Sequence, residues 1–539
     1  MQSDSFVCRG WLFHRFWLLS FIAIFLVACH APPKHHSRDD KTYKLTVLHT
    51  NDNHGHFWKN RKGEGGMAAR KTLIDQIRGE VAKQGGSVIL LSGGDINTGT
   101  PTSDMLDAMP DIKGMNMIGY TASAVGNHEF DNPLPVLMKQ ARWANFPFLA
   151  ANVYDKSTGK RLFQPYIVVD SGGLKIAIIG LTTLDTVETS NPDVTRGLKF
   201  TDPVKEAKAL MPEMRSKADI VIAATHLGWY FRGNYGVNAP GDVNLARKVN
   251  GIDIIAGGHS QDPLFRPDII NSTYIMQAFE WGKYVGRADF IYKDGILKMT
   301  NYALIPVNLK EKVIRGGKSE YVNVGPVISE NKAMLELLEP YRKEGEALLN
   351  VVVGSVDKRL PGERSEVRFH ETALGRLIAE AQRDRAKADL AVLNSGGIRA
   401  SIPAGQITYR DVLTVQPFGN QVAYMELSGR DLKNYLQVVG SMPPDSGAFA
   451  HFSNVAMVIE GGKLKQITVG GKRVEDGKIY RMAVNSFSAA GGDGYPQLDN
   501  KPGYVNTGYI DGEVLKDYIQ KVSPIKVSTY EPKGEVKRY

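Results

Sequence analysis

Cysteine is almost absent from this 539-residue chain, with only Cys8 and Cys29, both near the N-terminus. Beyond them no internal disulfide, thiolate nucleophile or cysteine-held metal is possible. Long apolar runs are missing too. The apolar run at residues 17–28 is shorter than the ~20 residues that cross a bilayer comfortably. No Lys/Arg block of the kind found in nucleic-acid arms is present. The net charge of +9 is a mild excess over so long a chain, suited to weak attraction of anionic substrates. There is no short internal repeat and no low-complexity tract. At 42% hydrophobic and 23% charged, the composition is that of a soluble globular protein. Its length exceeds what one core supports, so two or more domains are expected.

Arg9 and Arg15 precede the apolar run, which ends in LVAC at residues 26–29. This reads as an export leader. Small residues before a cysteine resemble a bacterial lipobox, in which Cys29 is lipidated and becomes the first residue of the mature chain. A secretory cleavage site with an incidental Cys29 is the alternative. His30, rather than Asp, points by resemblance to bacterial sorting rules to the outer membrane. Such a lipid anchors a periplasm-facing protein without spanning the bilayer. The expected order is a leader at 1–28, a polar tether at 29–42 with solvated His35 and His36, a first domain at 43–330, a linker helix at 331–350 interrupted by Pro340, and a second domain at 351–539.

From residue 45 onward, short apolar strands alternate with Gly-rich turns and helical stretches. Strands are expected at 45–48, 87–91, 122–125, 175–180, 219–224 and 253–256, with helices at 67–81 and 202–217. Near-continuous apolar strands between helices indicate α/β layering with both sheet faces covered. Polar donors follow five strands: Asp52 and His54; Asp95 in SGGD; Asn127, His128 and Asp131 in GNHEFD; His226 in THLG; His259 and Gln261 in GGHSQDP. In an open α/β sheet, strand carboxyl ends share the edge where ligands bind. Taken singly, Asp95 can cap a helix and Asn127 can make a turn. Together, oxygen and imidazole donors without a thiolate suit a catalytic site for Zn²⁺, Mn²⁺, Co²⁺ or Fe. Such a crowd of donors is costly to bury without a cation.

D-x-H, GGD, GNHE, H-x-G and GGH-x-Q, in this order, resemble the calcineurin-type metallophosphoesterases. More narrowly they resemble the bacterial periplasmic UDP-sugar hydrolase and 5′-nucleotidase family, over essentially all of the chain after the tether. The resemblance implies an α/β fold: a four-layer metallophosphoesterase sandwich, then a smaller α/β nucleotide-specificity domain. It implies two divalent metal ions, one on Asp52, His54, Asp95 and Gln261. The other is on Asp95, Asn127, His226 and His259, with Asp95 bridging. It makes His128 the catalytic imidazole and Asp131 its orienting partner; as a bare residue, Asp131 can equally cap a helix. His49 is expected to be structural, and His56 to line the site.

The second domain is expected to confer selectivity. Arg364 and Arg368 in GERSEVR and Arg399 in NSGGIR suit a phosphate or diphosphate, although each alone can be a surface charge. Phe418 and Asn420 in QPFGN, and Phe487 and Asp493 in NSFSAAGGDGYP, lie in Gly-rich turns. Two phenylalanines there can stack a base or simply pack loops. The resemblance favours the base, gives Asp493 the ribose, and adds Gly447. The implied activity is hydrolysis of 5′-nucleotides to nucleoside and phosphate, and of UDP-sugars to UMP and sugar phosphate. The partners are nucleotides and nucleotide sugars, with no nucleic acid and a monomeric state. A 2′,3′-cyclic phosphodiesterase/3′-nucleotidase or NAD nucleotidase is the alternative enzyme; a non-catalytic nucleotide-binding surface protein would carry a damaged metal set. Domain closure is required to bring the two halves to one substrate.

Overall fold

Strand Tyr43–Thr50 is buried at every residue from Leu45 onward, as a strand covered on both faces must be. The computed structural model describes residues 41–60, 62–190, 192–230, 241–315 and 318–539. The leader, Cys29, His35 and His36 lie outside the described residues. Among the described residues, no helix is long and apolar enough to cross a membrane.

Two six-stranded sheets form the centre of the N-terminal half. One contains Tyr43–Thr50, Ser87–Ser92 and Ala122–Ala124 in parallel pairing; the other contains Leu174–Thr182, Ile220–His226 and Ile254–Ala256, also parallel. The sheets meet through Leu45, Val47, Ile89 and Leu91 on one side and Ile176, Ile178, Ile220 and Ile222 on the other. Helices Met67–Lys83 and Met109–Ile118 cover the outer face of the first sheet. Pro203–Lys217 and Asp242–Lys248 cover that of the second. The result is a helix–sheet–sheet–helix sandwich of four layers. The Asp202 carboxylate caps Pro203–Lys217 by accepting from Val204 N at 2.8 Å, and Pro203 occupies the first turn, where its missing N–H costs nothing.

Helix Lys332–Leu348 is continuous, contrary to the expected interruption at Pro340. Pro340 is exposed, and so is Glu336, whose carbonyl loses its helical partner to the proline, so the lost bond falls on the solvent side of the helix. Met334 and Leu338 are buried in the first domain's core. At the other end, Leu349 O accepts from Arg410 N at 2.8 Å, tying the chain to the second domain. That domain has a five-stranded sheet, Ala450–Ser453, Leu390–Asn394, Ile479–Asn485, Gln421–Ser428 and Tyr504–Ile510 in spatial order, with an apolar core on each face.

The halves also touch beside the linker. Short helix Pro101–Asp104 packs on the linker helix at Gly345, where a Cβ would lie 2.6 Å from Thr102 Cβ. There the carboxyl groups of Asp104 and Glu513, from helix Asp511–Val522, face each other, with one oxygen of each buried and unpartnered. Burial, and for Glu513 next the Asp104 charge, raise both pKa values. The groups facing them are Lys516, which is ion-paired to Asp517 at 3.1 Å, together with Tyr409 and Asp111. For raised carboxyls, the contact's stabilisation is complete below the ordinary carboxylate range and is lost as pH rises through the raised values. Small-angle scattering should therefore show the halves separating as pH rises, and Glu513→Gln, neutral at every pH, should remove the dependence. Identical pH profiles for the two proteins would refute this.

Candidate metal and phosphoester site

All five donor-bearing turns reach one edge of the sandwich. Asp52, His54, Asp95 and Asn127 follow strands of the first sheet; His226 ends a strand of the second, and His259 and Gln261 follow another. Asp52, Asp95 and His226 offer ligand atoms within 4.8 Å of one another, and so do His54, Asp95 and His128. His226 Nε2 lies 3.0 Å from Asp95 Oδ2 and 3.0 Å from Asn127 Oδ1. His259 Nδ1 is 3.0 Å from the same Asn127 oxygen. His54 Nε2 lies 2.9 Å from Gln261 Nε2 and 3.7 Å from both Asp52 Oδ1 and Asp95 Oδ2. Asp95 thus touches both groups of donors.

The main chain is bent to present these atoms. Asp52, His54, Asp95, His259 and Gln261 have positive φ, between 48° and 79°, where non-glycine residues are rare. Gly126 must be glycine, because a Cβ there would lie 2.1 Å from Asp95 Oδ1. His54 Nδ1 meets Thr98 O at 2.7 Å, and His226 Nδ1 meets Gly93 O at 2.7 Å. Each bond fixes the tautomer and leaves Nε2 as the free donor, the arrangement that metal-binding histidines require.

A divalent cation fits this set. Asp52 Oδ1 is buried without a hydrogen-bond partner, although it points among imidazoles. Burial alone would lower His54 and His226, but Asp52 and Asp95 outweigh it for His54, and chiefly Asp95 for His226, and each is pushed up to about 9. Burial would raise Asp95, yet His226, His128 and His54 hold it far below the ordinary range. In the metal-free protein, protons on histidine therefore balance the carboxylates, and cations would displace them.

His128 is buried, and its Nδ1 lies 2.5 Å from Asp131 Oδ2. Burial opposes its charge, but Asp131 and Asp95 raise its pKa on balance. Asp131 ends a short 3₁₀ turn and takes up the imidazole; its side chain is not the helix cap that its position also allowed. His49 is fully buried against Gly286 and pushed down to about 3 by burial, a neutral core residue. His56 binds Asn53 O at 3.0 Å and stacks on Trp281 at 4.5 Å.

Sequence reasoning gave no role to Glu129, although GNHE contains it. Its buried carboxylate accepts from Gly126 N at 2.6 Å, Ile96 N at 2.7 Å and Asp95 N at 3.1 Å, tying two ligand turns together. Burial, then the Asp95 charge, push it up to about 7.

The second domain's candidates gather on a patch of their own. Arg368 has its pKa lowered by burial and then by Arg364 and Arg399, with Asp493 and Asp445 opposing. Arg399 lies over Phe418, 5.5 Å from the ring centroid. Asp493, at φ 55°, accepts from Asn394 Nδ2 at 2.9 Å, and Gly447 is pressed beside it. Phe487 packs on Gly492, next to Asp493. Phe418 and Phe487 are 54% and 43% exposed, with ring faces open to solvent. Asn420 instead turns to Asp511, with Nδ2 3.3 Å from Oδ2.

None of these eight residues lines the cleft of about 800 Å³ over the metal donors. Its far wall is strand Tyr504–Ile510 with Gln421 and Ser486. Gly508 sits on the His128 imidazole so closely that a Cβ would lie 1.9 Å from His128 Nε2. Tyr509 meets the same ring edge-on at 5.9 Å.

This fold and donor set define a metal-dependent phosphoesterase carrying a second, nucleotide-directed domain. Residues 45–263 match the calcineurin-like phosphoesterase family, and residues 352–500 match the 5′-nucleotidase C-terminal domain. The chain belongs to the family of 5′-nucleotidases and UshA proteins. It is 54% identical to a 5′-nucleotidase of Vibrio cholerae over 95% of this chain and 96% of that protein. It is 56% identical to protein UshA of Escherichia coli over 92% of this chain and 94% of that protein. A solved 5′-nucleotidase precursor from Thermus thermophilus is 30% identical, with a TM-score of 0.52 over 92% of this chain and 99% of that one. The Haemophilus influenzae NAD nucleotidase, at 23% identity and a TM-score of 0.77 over 92% of this chain and 99% of that one, shares the fold.

Proposed function

We propose that the chain hydrolyses 5′-nucleotides to nucleoside and phosphate, and UDP-sugars to UMP and sugar phosphate. The observation that carries this is the convergence of seven oxygen and nitrogen donors from five turns on one edge, beside a buried His–Asp pair. Asp52, His54, Asp95 and Gln261 would hold one divalent cation, and Asp95, Asn127, His226 and His259 the other. When bound, such a pair of cations polarises the phosphate and acidifies water at neutral pH. Oxygen and imidazole donors suit Zn²⁺, Mn²⁺ or Co²⁺.

The protein's own groups do the rest. His128, held charged by Asp131, stabilises the negative charge that develops on the phosphate and gives its Nε2 proton to the leaving oxygen. Arg364, Arg368 and Arg399 present fork-shaped donors to a substrate anion. Phe418 and Phe487 stack the base, with Asp493 and Asn420 on base or ribose and Gly447 offering backbone.

Phe418→Ala and Phe487→Ala should each remove ~1–3 kcal/mol of base stacking. KM for AMP should rise about tenfold, with no change toward a phosphate ester that lacks a base. Equal effects on both substrates would reject the stacking role. A panel of AMP, 3′-AMP, 2′,3′-cyclic AMP, UDP-glucose and NAD on metal-defined protein tests the activity itself; a dominant rate on the cyclic or 3′ substrate would overturn it.

The Arg9/Arg15 leader and LVAC support export to the periplasm and anchoring to the outer membrane through lipid on Cys29. The mass of the mature N-terminus checks this, and an unmodified N-terminus beyond Cys29 would refute it.

A further inference from the structure

His259 differs from the other two histidines of the donor set. His54 and His226 each bond a backbone carbonyl through Nδ1 and point Nε2 inward. His259 is reversed, with Nδ1 3.0 Å from Asn127 Oδ1 on the donor side. Its outer nitrogen, Nε2, is 3.1 Å from the Oδ2 of Asp185. Asp185 is 3% exposed and borders the same cleft.

We propose that Asp185 is a positioning residue for the second cation: its carboxylate accepts the Nε2–H of His259 and so leaves Nδ1 as the ligand atom. This rests on the assignment of His259 as a ligand. A carboxylate on the outer nitrogen fixes the tautomer, holds the ring plane and makes the inner nitrogen more basic.

The surrounding chain is built to keep Asp185 in place. It lies just after strand Leu174–Thr182, and its N–H bonds Thr183 Oγ1 at 3.1 Å. The same segment reaches the Asn127 turn twice. Thr182 Oγ1 donates to Val125 O at 2.8 Å, and Ser190 Oγ donates to Asn127 O at 2.7 Å. One stretch thus supports Asn127 and His259, and its Thr182 is also the strand partner of His226, so it serves three of the residues assigned to the second cation. Its short helix, Thr186–Thr189, packs on strand Tyr504–Ile510 of the other domain. The domain contact therefore reaches the segment that supports the second-cation site as well as His128.

The test is made on Asp185→Ala and Asp185→Asn. In metal-free protein labelled with ¹⁵N-histidine, long-range ¹H–¹⁵N correlation should report the Nε2–H tautomer for His259. A His259→Gln sample assigns its signals. Asp185→Ala should shift His259 to a mixture of tautomers. Asp185→Asn, whose amide oxygen can still accept, should keep Nε2–H. Calorimetric titration with Mn²⁺ should show one of the two cations bound about 10–100-fold more weakly in Asp185→Ala, with the other unchanged. An unchanged tautomer, or two wild-type affinities in Asp185→Ala, would overturn the proposal. If Asp185 instead contacts substrate, only kcat/KM falls. Wild-type protein that takes up fewer than two cations would fail the ligand assignment itself, a result distinct from failure of the Asp185 role.

Discussion

His128→Ala is expected to lower kcat by about 10²–10⁴-fold while both cations remain bound, the range for losing a positioned general acid. The imidazole touches none of the backbone carbonyls that fix the ligand histidines, so its removal leaves their tautomers intact. Its ion pair with Asp131, at 2.5 Å, keeps it charged in a buried place that otherwise favours the neutral ring. Leaving-group dependence separates its two roles. AMP leaves as a poor alkoxide and needs the proton; p-nitrophenyl phosphate leaves as a stable phenolate and does not. A far greater loss on AMP supports proton donation, and an equal loss on both assigns charge stabilisation alone. Near-normal turnover of AMP would remove His128 from the mechanism.

Fixing the halves as they stand in this structure should abolish nucleotide turnover reversibly. Gly508 covers His128 Nε2, and none of the arginine or phenylalanine candidates borders the metal cleft. The arrangement therefore keeps the proposed proton donor and the proposed base-binding patch from meeting on one substrate. Val187, half exposed on helix Thr186–Thr189, and Asn506, on the strand packed against it, are suitable anchor points. Both native cysteines lie within the first 29 residues, so a chain starting after Cys29 is free of competing thiols. Val187→Cys with Asn506→Cys, joined by a short reducible bridge, should lose activity on cross-linking and regain it on reduction. Each single variant should stay active after the same treatment. Full turnover in the bridged protein would mean that no domain movement is needed.

The sandwich could be read from the sequence because its strands are buried on both faces. Such strands, as at Ile220–His226, appear as unbroken apolar runs that stop sharply at a polar turn. The metal donors were legible for a chemical reason: Asp, Asn, His and Gln after five separate strands have few other reasons to recur there. Asp185 carried no such signal. It lies in an unremarkable LTTLDT stretch, and its role follows from a ring nitrogen of a residue far along the chain. Glu129 was visible but silent, since accepting three backbone N–H groups leaves no trace in residue type. Pro340 misled because its effect depends on which way the helix faces. The position of Gly508 on His128 is a contact between domains, set by an arrangement that no local pattern encodes.

The origin of the donors in two different sheets has a further consequence. The sheets pack face to face through apolar side chains such as Val47, Leu91, Ile178 and Ile222. Apolar layers are forgiving, and similar packing can be recovered after one slides along the other. Coordination is not forgiving. A shift by one residue, about 3.3 Å of strand rise, would carry His226, His259 and Gln261 out of reach of Asp52 and Asp95. The ligand set therefore imposes on the two sheets a mutual alignment that their greasy faces alone would leave loosely specified.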